Sequence, residues 1–279
     1  MAFFSENLAL PDNAFLILRN LIMERTGIYF EDDKKDMLAD KLSDRVIEKG
    51  FNSFIDYYYL LKYDKDNPDE WNTVLDLVTV KETYFWREAD HIEALVKHIV
   101  PEFETGNSNS VLRIWSAACS TGEEPLSLVM ALDSAGWLKK IRVELIASDA
   151  SRMALEKARK GLFREKSFKS LPEKMKKKYF VQEGAEWRIK SEILDKVRWE
   201  QINLVDDNQR SLPGNVNVIF CRNMFIYMKE DHIRRILEGF YSQLLKPGYL
   251  FVGVSESLFR IRNKFELTEL DKTFVYKKE

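Results

Sequence analysis

The chain is poor in the residues that build covalent or metal frameworks. It has two cysteines, Cys119 and Cys221, and three histidines, His91, His98 and His232. The cysteines lie far apart and neither has a C-x-x-C partner, so neither a disulfide framework nor a zinc site is expected. The histidines show no metal spacing and no triad arrangement, so no metal is expected. Neither sign of charge dominates. The formal net charge is -2, which gives nucleic-acid binding no support from bulk electrostatics. No apolar run approaches about 18 residues, so no membrane insertion is expected. Met1 to Leu10 lack a basic leader and include Glu6, so a cytoplasmic chain without a signal peptide is expected. Internal repeats and low-complexity segments are absent as well. What remains is an ordinary globular composition over 279 residues, enough for one large or two modest domains.

The first eighty residues read as helices. Phe15, Leu18, Leu21 and Ile22 recur at helical spacing, and Gly27 stops the run. Lys34 to Lys49 repeats the pattern through Leu38, Leu42 and Val46, with Gly50 as its stop. Ser53 can cap a third helix bearing Phe54, Tyr57, Tyr58 and Leu61. Asn67-Pro68 can open a fourth. After about residue 80 the pattern changes. A helix over Glu88 to Glu104 and the polar loop Gly106 to Ser110 lead into alternating strands and helices. Strands are predicted at 111–116, 142–148, 197–202, 216–220 and 249–254, and helices near 123–135, 151–160 and 230–245. That alternation implies a parallel sheet covered on both faces. Two further extended runs, near 264–269 and 273–277, suit a closing antiparallel hairpin around Leu270-Asp271-Lys272. A small β excursion is expected around Tyr179-Phe180-Val181 and Trp187-Arg188-Ile189, with a short turn at Glu183-Gly184.

Polar groups stand at the predicted strand ends. The run I-W-S-A-A-C-S-T-G-E-E-P, Ile114 to Pro125, has small residues that let a ligand approach the backbone, then a helix opening on Glu123-Glu124. It lacks G-x-G-x-x-G, and the paired acids would repel a pyrophosphate. They suit a ligand carrying sulfonium and ammonium charge, or merely the helix dipole. Asp149 ends the second strand, where a carboxylate can take ribose hydroxyls or cap the next helix; Ser151 could do the capping instead. Asn203-Leu204 can meet an adenine edge and face, or form an ordinary turn. Cys221-Arg222-Asn223 and Tyr227 follow the fourth strand, and buried Arg and Asn must either line a cleft or fasten the sheet edge. Lys81 to Glu88, K-E-T-Y-F-W-R-E, can be an aromatic lid between domains or plain packing. Lys34, Lys41, Arg45 and Lys49 share one helix face that can dock an acidic partner or lie in solvent.

Together these segments resemble the CheR family, the chemoreceptor glutamate methyltransferases. The resemblance rests on E-T-Y-F-W-R-E, S-A-A-C-S-T-G-E-E-P, A-S-D at Ala147 to Asp149, I-N-L at Ile202 to Leu204, and F-C-R-N-M-F-I-Y at Phe220 to Tyr227. L-L-K-P-G-Y-L at Leu244 to Leu250 and S-E-S at Ser255 to Ser257 extend it. It implies an α/β protein: a Rossmann-like class I methyltransferase sheet of seven strands with an antiparallel closing hairpin. An N-terminal all-α domain would cover 1–80. The methyltransferase domain would cover 81–279, with a small inserted antiparallel β subdomain at about 179–197. It also implies S-adenosylmethionine as methyl donor, S-adenosylhomocysteine as product, and glutamate methyl esters on chemoreceptor cytoplasmic helices; a monomer is expected. Thr83 and Arg87 would lie at the donor's charged end, Glu123 at its methionyl part and Asp149 at its ribose. Asn203 and Leu204 would meet the adenine side, and Cys221 and Arg222 would line the pocket. Arg87 and Tyr227 would face the incoming glutamate as the catalytic pair. Lys81, also at the pocket, stands where the family often has Asn, and Trp86 where Phe is usual. The short turn in the β excursion resembles members that do not bind a receptor's C-terminal tether. The target carboxylate, with an ordinary pKa near ~4.3, is already ionised at neutral pH, so no general base is required. A methyltransferase of another protein or a small molecule, and a donor-sensing module without turnover, are the alternatives.

Overall fold

The computed structural model describes residues 8–64, 68–106 and 110–279. Met1 to Asn7 of the leader reading, Asn67 of the Asn67-Pro68 start, and Asn107 to Asn109 of the polar loop lie outside these residues. The chain divides into two compact units. One gathers residues up to Val80 together with Tyr227–Ile233; the other gathers Lys81–Ile226 and Arg234–Glu279.

The first unit is helical: α1 (Asp12–Thr26), α2 (Lys35–Glu48), α3 (Phe54–Tyr63) and α4 (Pro68–Val78). Gly27 ends α1 at φ 76°, its N–H returning to the Met23 carbonyl, a conformation that costs glycine little. The Ser53 side chain accepts from the Asp56 N–H and caps α3. Phe15, Leu18, Ile22, Leu38, Leu42, Phe54, Tyr57 and Val74 form its core. Within this core Glu70 receives the Tyr57 hydroxyl at 2.6 Å and Arg45 at 2.9 and 2.5 Å, with the Lys49 ammonium at 3.0 Å. Burial would raise the Glu70 carboxyl, but Arg45, Tyr57 and Lys49 outweigh it and hold the group at about 2. Lys41 donates to the Leu77 carbonyl at 3.0 Å. Lys34 pairs with Asp33 at 3.1 Å, so all four cations read as one basic face have partners within the unit itself. Tyr227–Ile233 joins it through a bridge between Met228 and Ile28, and the Tyr29 N–H donates to the Tyr227 carbonyl at 2.9 Å.

The second unit begins with α5 (Ala89–Ala94), a π turn at Leu95–Ile99 and α6 (Val100–Gly106), where one continuous helix was expected. Then come β1 (Val111–Ala117), α7 (Glu123–Ser134), α8 (Trp137–Lys140), β2 (Arg142–Asp149) and α9 (Arg152–Lys160). The small antiparallel sheet follows, from β3 (Leu162–Arg164), α10 (Glu173–Tyr179), β4 (Phe180–Glu183) and β5 (Glu186–Ile189). After α11 (Ser191–Leu194) the main sheet resumes with β6 (Val197–Gln201), α12 (Asp207–Arg210) and β7 (Val216–Phe220). It ends with α13 (Glu230–Gln243), β8 (Leu244–Phe251), β9 (Glu266–Leu270) and β10 (Thr273–Lys278). The seven-stranded order is β6-β2-β1-β7-β8-β10-β9, and the small sheet runs β3-β5-β4. Strands β6, β2, β1, β7 and β8 are parallel, while β10 is antiparallel to both its neighbours. The Rossmann-like sheet with a closing hairpin is thus present. The small sheet takes in Leu162–Arg164, ahead of the stretch read as extended. β8 starts at Leu244 rather than 249, its pairing with β7 shifting register between Val216 and Val218.

The order of strands changes direction between β1 and β7, which opens a crevice at their carboxyl ends. Trp115 on β1, fully buried, locks the sheet there. Its indole N–H donates to Ser148 Oγ at 2.8 Å, and its ring meets Phe240 of α13 edge-on at 5.3 Å. Burying such an aromatic side chain stabilises the fold by about 1.5–3 kcal/mol.

Candidate active site

The loop leaving β1 turns through three left-handed residues, Ala118 (φ 76°), Ser120 (φ 50°) and Gly122 (φ 96°). At Gly122 a Cβ would lie 2.9 Å from both Ala158 Cβ and the Trp199 ring, so only glycine satisfies conformation and space together. The Ala118 and Cys119 N–H groups donate to the Ser148 carbonyl, tying this loop to the end of β2. Asp149 closes the arrangement: one carboxylate oxygen accepts the Ser120 N–H at 2.8 Å and the other the Ser151 N–H at 2.8 Å. Ser151 itself caps α9, so Asp149 does not serve as the cap.

Glu123, 3 % exposed, opens α7. It accepts from Thr121 Oγ1 at 2.6 Å and from Ser167 Oγ at 3.0 Å. Burial pushes its carboxyl up, with the two hydroxyls pulling the other way. Glu124 behaves differently. It accepts from Ser116 Oγ at 2.7 Å and pairs with Arg222 at 3.0 Å.

Arg222 is the brace of the crevice. Its side chain is 2 % exposed and meets three partners: Nε to Glu88 at 3.0 Å, Nη1 to Glu124 at 3.0 Å, and Nη2 to the Arg87 carbonyl at 2.6 Å. Burial would raise the Glu88 carboxyl, yet His91, the Arg222 charge and the Val254 N–H hold it at about 2. Arg87 lies between two left-handed residues, Trp86 (φ 65°) and Glu88 (φ 54°). Such backbone persists only where neighbours enforce it. Here the Trp86 N–H donates to Ser127 Oγ at 3.1 Å, and the Glu88 side chain is fixed by Arg222. The Arg87 guanidinium is half-buried, donates to the Glu82 carbonyl at 3.1 Å and lies 5.5 Å from the Tyr84 ring.

The three adjacent aromatics do not act together as a lid. Phe85 is fully buried against Phe163, Phe168 and Phe180 of the small sheet and its flanks, with its N–H donating to the Ser167 carbonyl at 2.8 Å. Tyr84 is half-buried, with the Lys169 ammonium 3.8 Å from its ring centre. Lys81 and Thr83 are half-buried on the same segment.

Cys221 is fully buried after β7, its N–H donating to the Phe251 carbonyl, and burial raises its thiol well above the ordinary range. It is no thiolate nucleophile. Asn203 Oδ1 accepts the Val205 N–H at 3.2 Å in a side-chain turn, and Leu204 is buried. The loops after β7 and β8 share a carboxylate that carried no role in the sequence reading. Glu256 accepts the N–H groups of Asn223 at 2.6 Å, Gly253 at 2.7 Å and Ile226 at 3.2 Å. Burial pushes it up; the N–H groups pull it down. Tyr227 follows Ile226 in sequence but belongs to the helical unit. Glu88 and Glu256 both stand inside recognised motifs; their signal was an acid among residues that the sheet buries.

Lys81, Thr83, Arg87, Glu123, Asp149, Asn203, Leu204, Cys221 and Arg222 all belong to the second unit, and most stand at or just beyond the carboxyl ends of its parallel strands. The crevice suits a cationic nucleoside. Carboxylates stand along it, the loop side chains are small, and Ser120 Oγ is a buried hydroxyl with no hydrogen-bond partner among the described residues. Among the described residues no group of three His, Cys, Asp or Glu gathers as a metal site.

Comparison with known proteins agrees with this chemistry. Residues 81–274 match the family described as CheR methyltransferase, SAM binding domain, and residues 13–79 match CheR methyltransferase, all-alpha domain. "Chemotaxis protein methyltransferase 2" of Vibrio cholerae serotype O1 is 34 % identical over 97 % of this chain and 94 % of its own length. "Chemotaxis protein methyltransferase" of Escherichia coli (strain K12) is 34 % identical over 94 % of this chain and 91 % of its own. The chain belongs to the CheR family of S-adenosylmethionine-dependent methyltransferases.

Proposed function

We propose that the chain methylates glutamate side chains on the cytoplasmic helices of a chemoreceptor, forming methyl esters in the cytoplasm as a monomer. In this reading residues 1–80 are a helical domain and 81–279 the methyltransferase domain with its β insert. The observation that supports it most is the charge of the crevice. Glu123 and Glu256 accept from hydroxyl and N–H groups and have no ion-pair partner among the described residues, so a cationic donor beside them would supply the counter-charge that favours their ionised forms. When bound, S-adenosylmethionine supplies an electrophilic methyl on its sulfonium.

The residues divide the remaining work. Glu123 and Thr83 hold the methionyl end, Asp149 the ribose, and Asn203 and Leu204 the adenine side. Lys81 and Cys221 line the walls. Arg222 acts through the Arg87 carbonyl and thereby orients Arg87. Arg87 and Tyr227 position the acceptor carboxylate. A tight bidentate clamp from Arg87 would stabilise the ground state and slow attack, so a positioning contact serves better. No general base takes part, because the acceptor is already an anion at neutral pH.

Labelled donor offered with chemoreceptor membranes tests the reading. Base-labile methyl ester on the receptor is expected. Donor binding without transfer would point to a sensing module, and transfer only to other acceptors would reassign the substrate.

A further inference from the structure

The loop between β8 and β9 carries the most exposed large apolar side chains of the described residues: Phe259 at 89 % and Val254 at 77 %. Phe259 is not on a loose tip. It sits inside the turn Leu258 to Ile261, closed by the Ile261 N–H on the Leu258 carbonyl at 3.0 Å. Leu258 is buried, and its N–H donates to the Tyr276 hydroxyl at 2.9 Å. Asn263 Nδ2 binds the carbonyls of Leu258 and Ile261, at 3.3 and 2.8 Å. The turn is thus fixed before anything binds, which spares an ordering cost on association. Its flank is cationic. From Ser257 to Phe265 the chain carries Arg260, Arg262 and Lys264, all exposed, and no acid. The loop also continues directly from the crevice: the Val254 N–H donates to Glu88 at 3.3 Å, the same carboxylate that holds Arg222.

We propose that Phe259, with the cations Arg260, Arg262 and Lys264, docks an acidic helical segment of the methyl acceptor. This rests on the methyl-ester reading above, in which the acceptor presents carboxylates to the crevice. A rigid exposed aromatic anchors the apolar stripe of such a helix, while the cations steer and orient its acids.

Fluorescently labelled soluble chemoreceptor cytoplasmic fragment is titrated with the full chain and with two variants, Phe259→Ser and Arg260→Glu/Arg262→Glu. The same fragment is then methylated at varied concentration. Each variant should weaken fragment binding and raise the fragment's KM by about tenfold, with kcat and S-adenosylhomocysteine affinity unchanged. Added salt should weaken the wild type more than the charge-reversed variant. Binding and KM equal to wild type in both variants would overturn the docking surface, as would a fragment that does not bind at all. So would an unchanged fragment affinity combined with loss of cosedimentation on phosphatidylglycerol vesicles, which would assign the loop to a membrane surface. Normal fragment binding without methyl ester would instead remove the reaction and leave the surface standing.

Discussion

Replacing Arg222 by methionine should destabilise the second unit more than any single exposed substitution. The guanidinium is 2 % exposed and reaches two carboxylates, Glu88 and Glu124, that are themselves only 17 % and 15 % exposed. Methionine keeps much of the volume but strands both acids. Removing one partner of a buried ion pair typically costs about 3–5 kcal/mol, because the other charge stays buried and unpaired. Against a total stability of about 5–15 kcal/mol, the variant should still fold, with a much lower urea midpoint and an unchanged slope. Lysine at this position should rescue only part of the loss, since one ammonium cannot reach three acceptors that face Nε, Nη1 and Nη2 separately. A double-mutant cycle with Glu124→Gln should give a coupling of about 0.5–3 kcal/mol. An Arg222→Met midpoint within about 0.5 kcal/mol of wild type, the usual range for surface changes, would refute the brace.

Acid titration gives an independent measure of the same cluster. The Glu88 carboxyl is held at about 2, below its ordinary 4.5, so its stabilisation is complete above about pH 4.5 and is lost as pH falls toward 2. At about 1.36 kcal/mol per pH unit that amounts to about 3 kcal/mol. Glu88→Gln should flatten the stability curve over this window, and equal acid slopes in variant and wild type would refute the assignment. Gly122→Ala meets Ala158 and the Trp199 ring at 2.9 Å with a left-handed backbone, so it should lower thermal stability and weaken S-adenosylhomocysteine binding in calorimetry together. Asp149→Ala should weaken donor binding. Tyr227→Phe should mainly lower kcat at near-constant donor affinity, and the reverse pattern would exchange the two roles.

Much of this architecture was legible because it is written in short-range pattern. Apolar runs marked β1, β2 and β7, and the bounds of these strands and of β6 fell within a residue or two of those observed. Gly27, Gly50 and Ser53 marked helix ends by conformation and capping, which are local properties. The misses have physical causes. β3 is three residues long and offers too little alternation to register. The start of β8 contains Lys246-Pro247-Gly248, which reads as a turn, and the sheet accommodates it by shifting register with β7. The basic face of α2 looked available because its counter-charge, Glu70, arrives from another helix, 25 residues beyond Arg45. The aromatic run Tyr84 to Trp86 looked like one feature, but the backbone turns left-handed at Trp86 and sends Phe85 alone into the core.

The candidate site shows the same limit in its acids. Glu123 and Glu124 are neighbours in sequence and identical in side chain, yet they do opposite things. Glu124 meets Arg222 and becomes part of a neutralised brace; Glu123 meets two hydroxyls, has no ion-pair partner among the described residues, and is pushed up by burial. Helical geometry separates them by about 100° around α7, which turns one toward the β7 loop and the other toward Ser167. Which carboxyl a cationic donor can ionise and pair with therefore depends on which acids the fold leaves without a cation. Arg222, by absorbing Glu88 and Glu124, makes that selection. Its substitution should consequently change donor affinity as well as stability, whereas a purely architectural arginine would change stability alone.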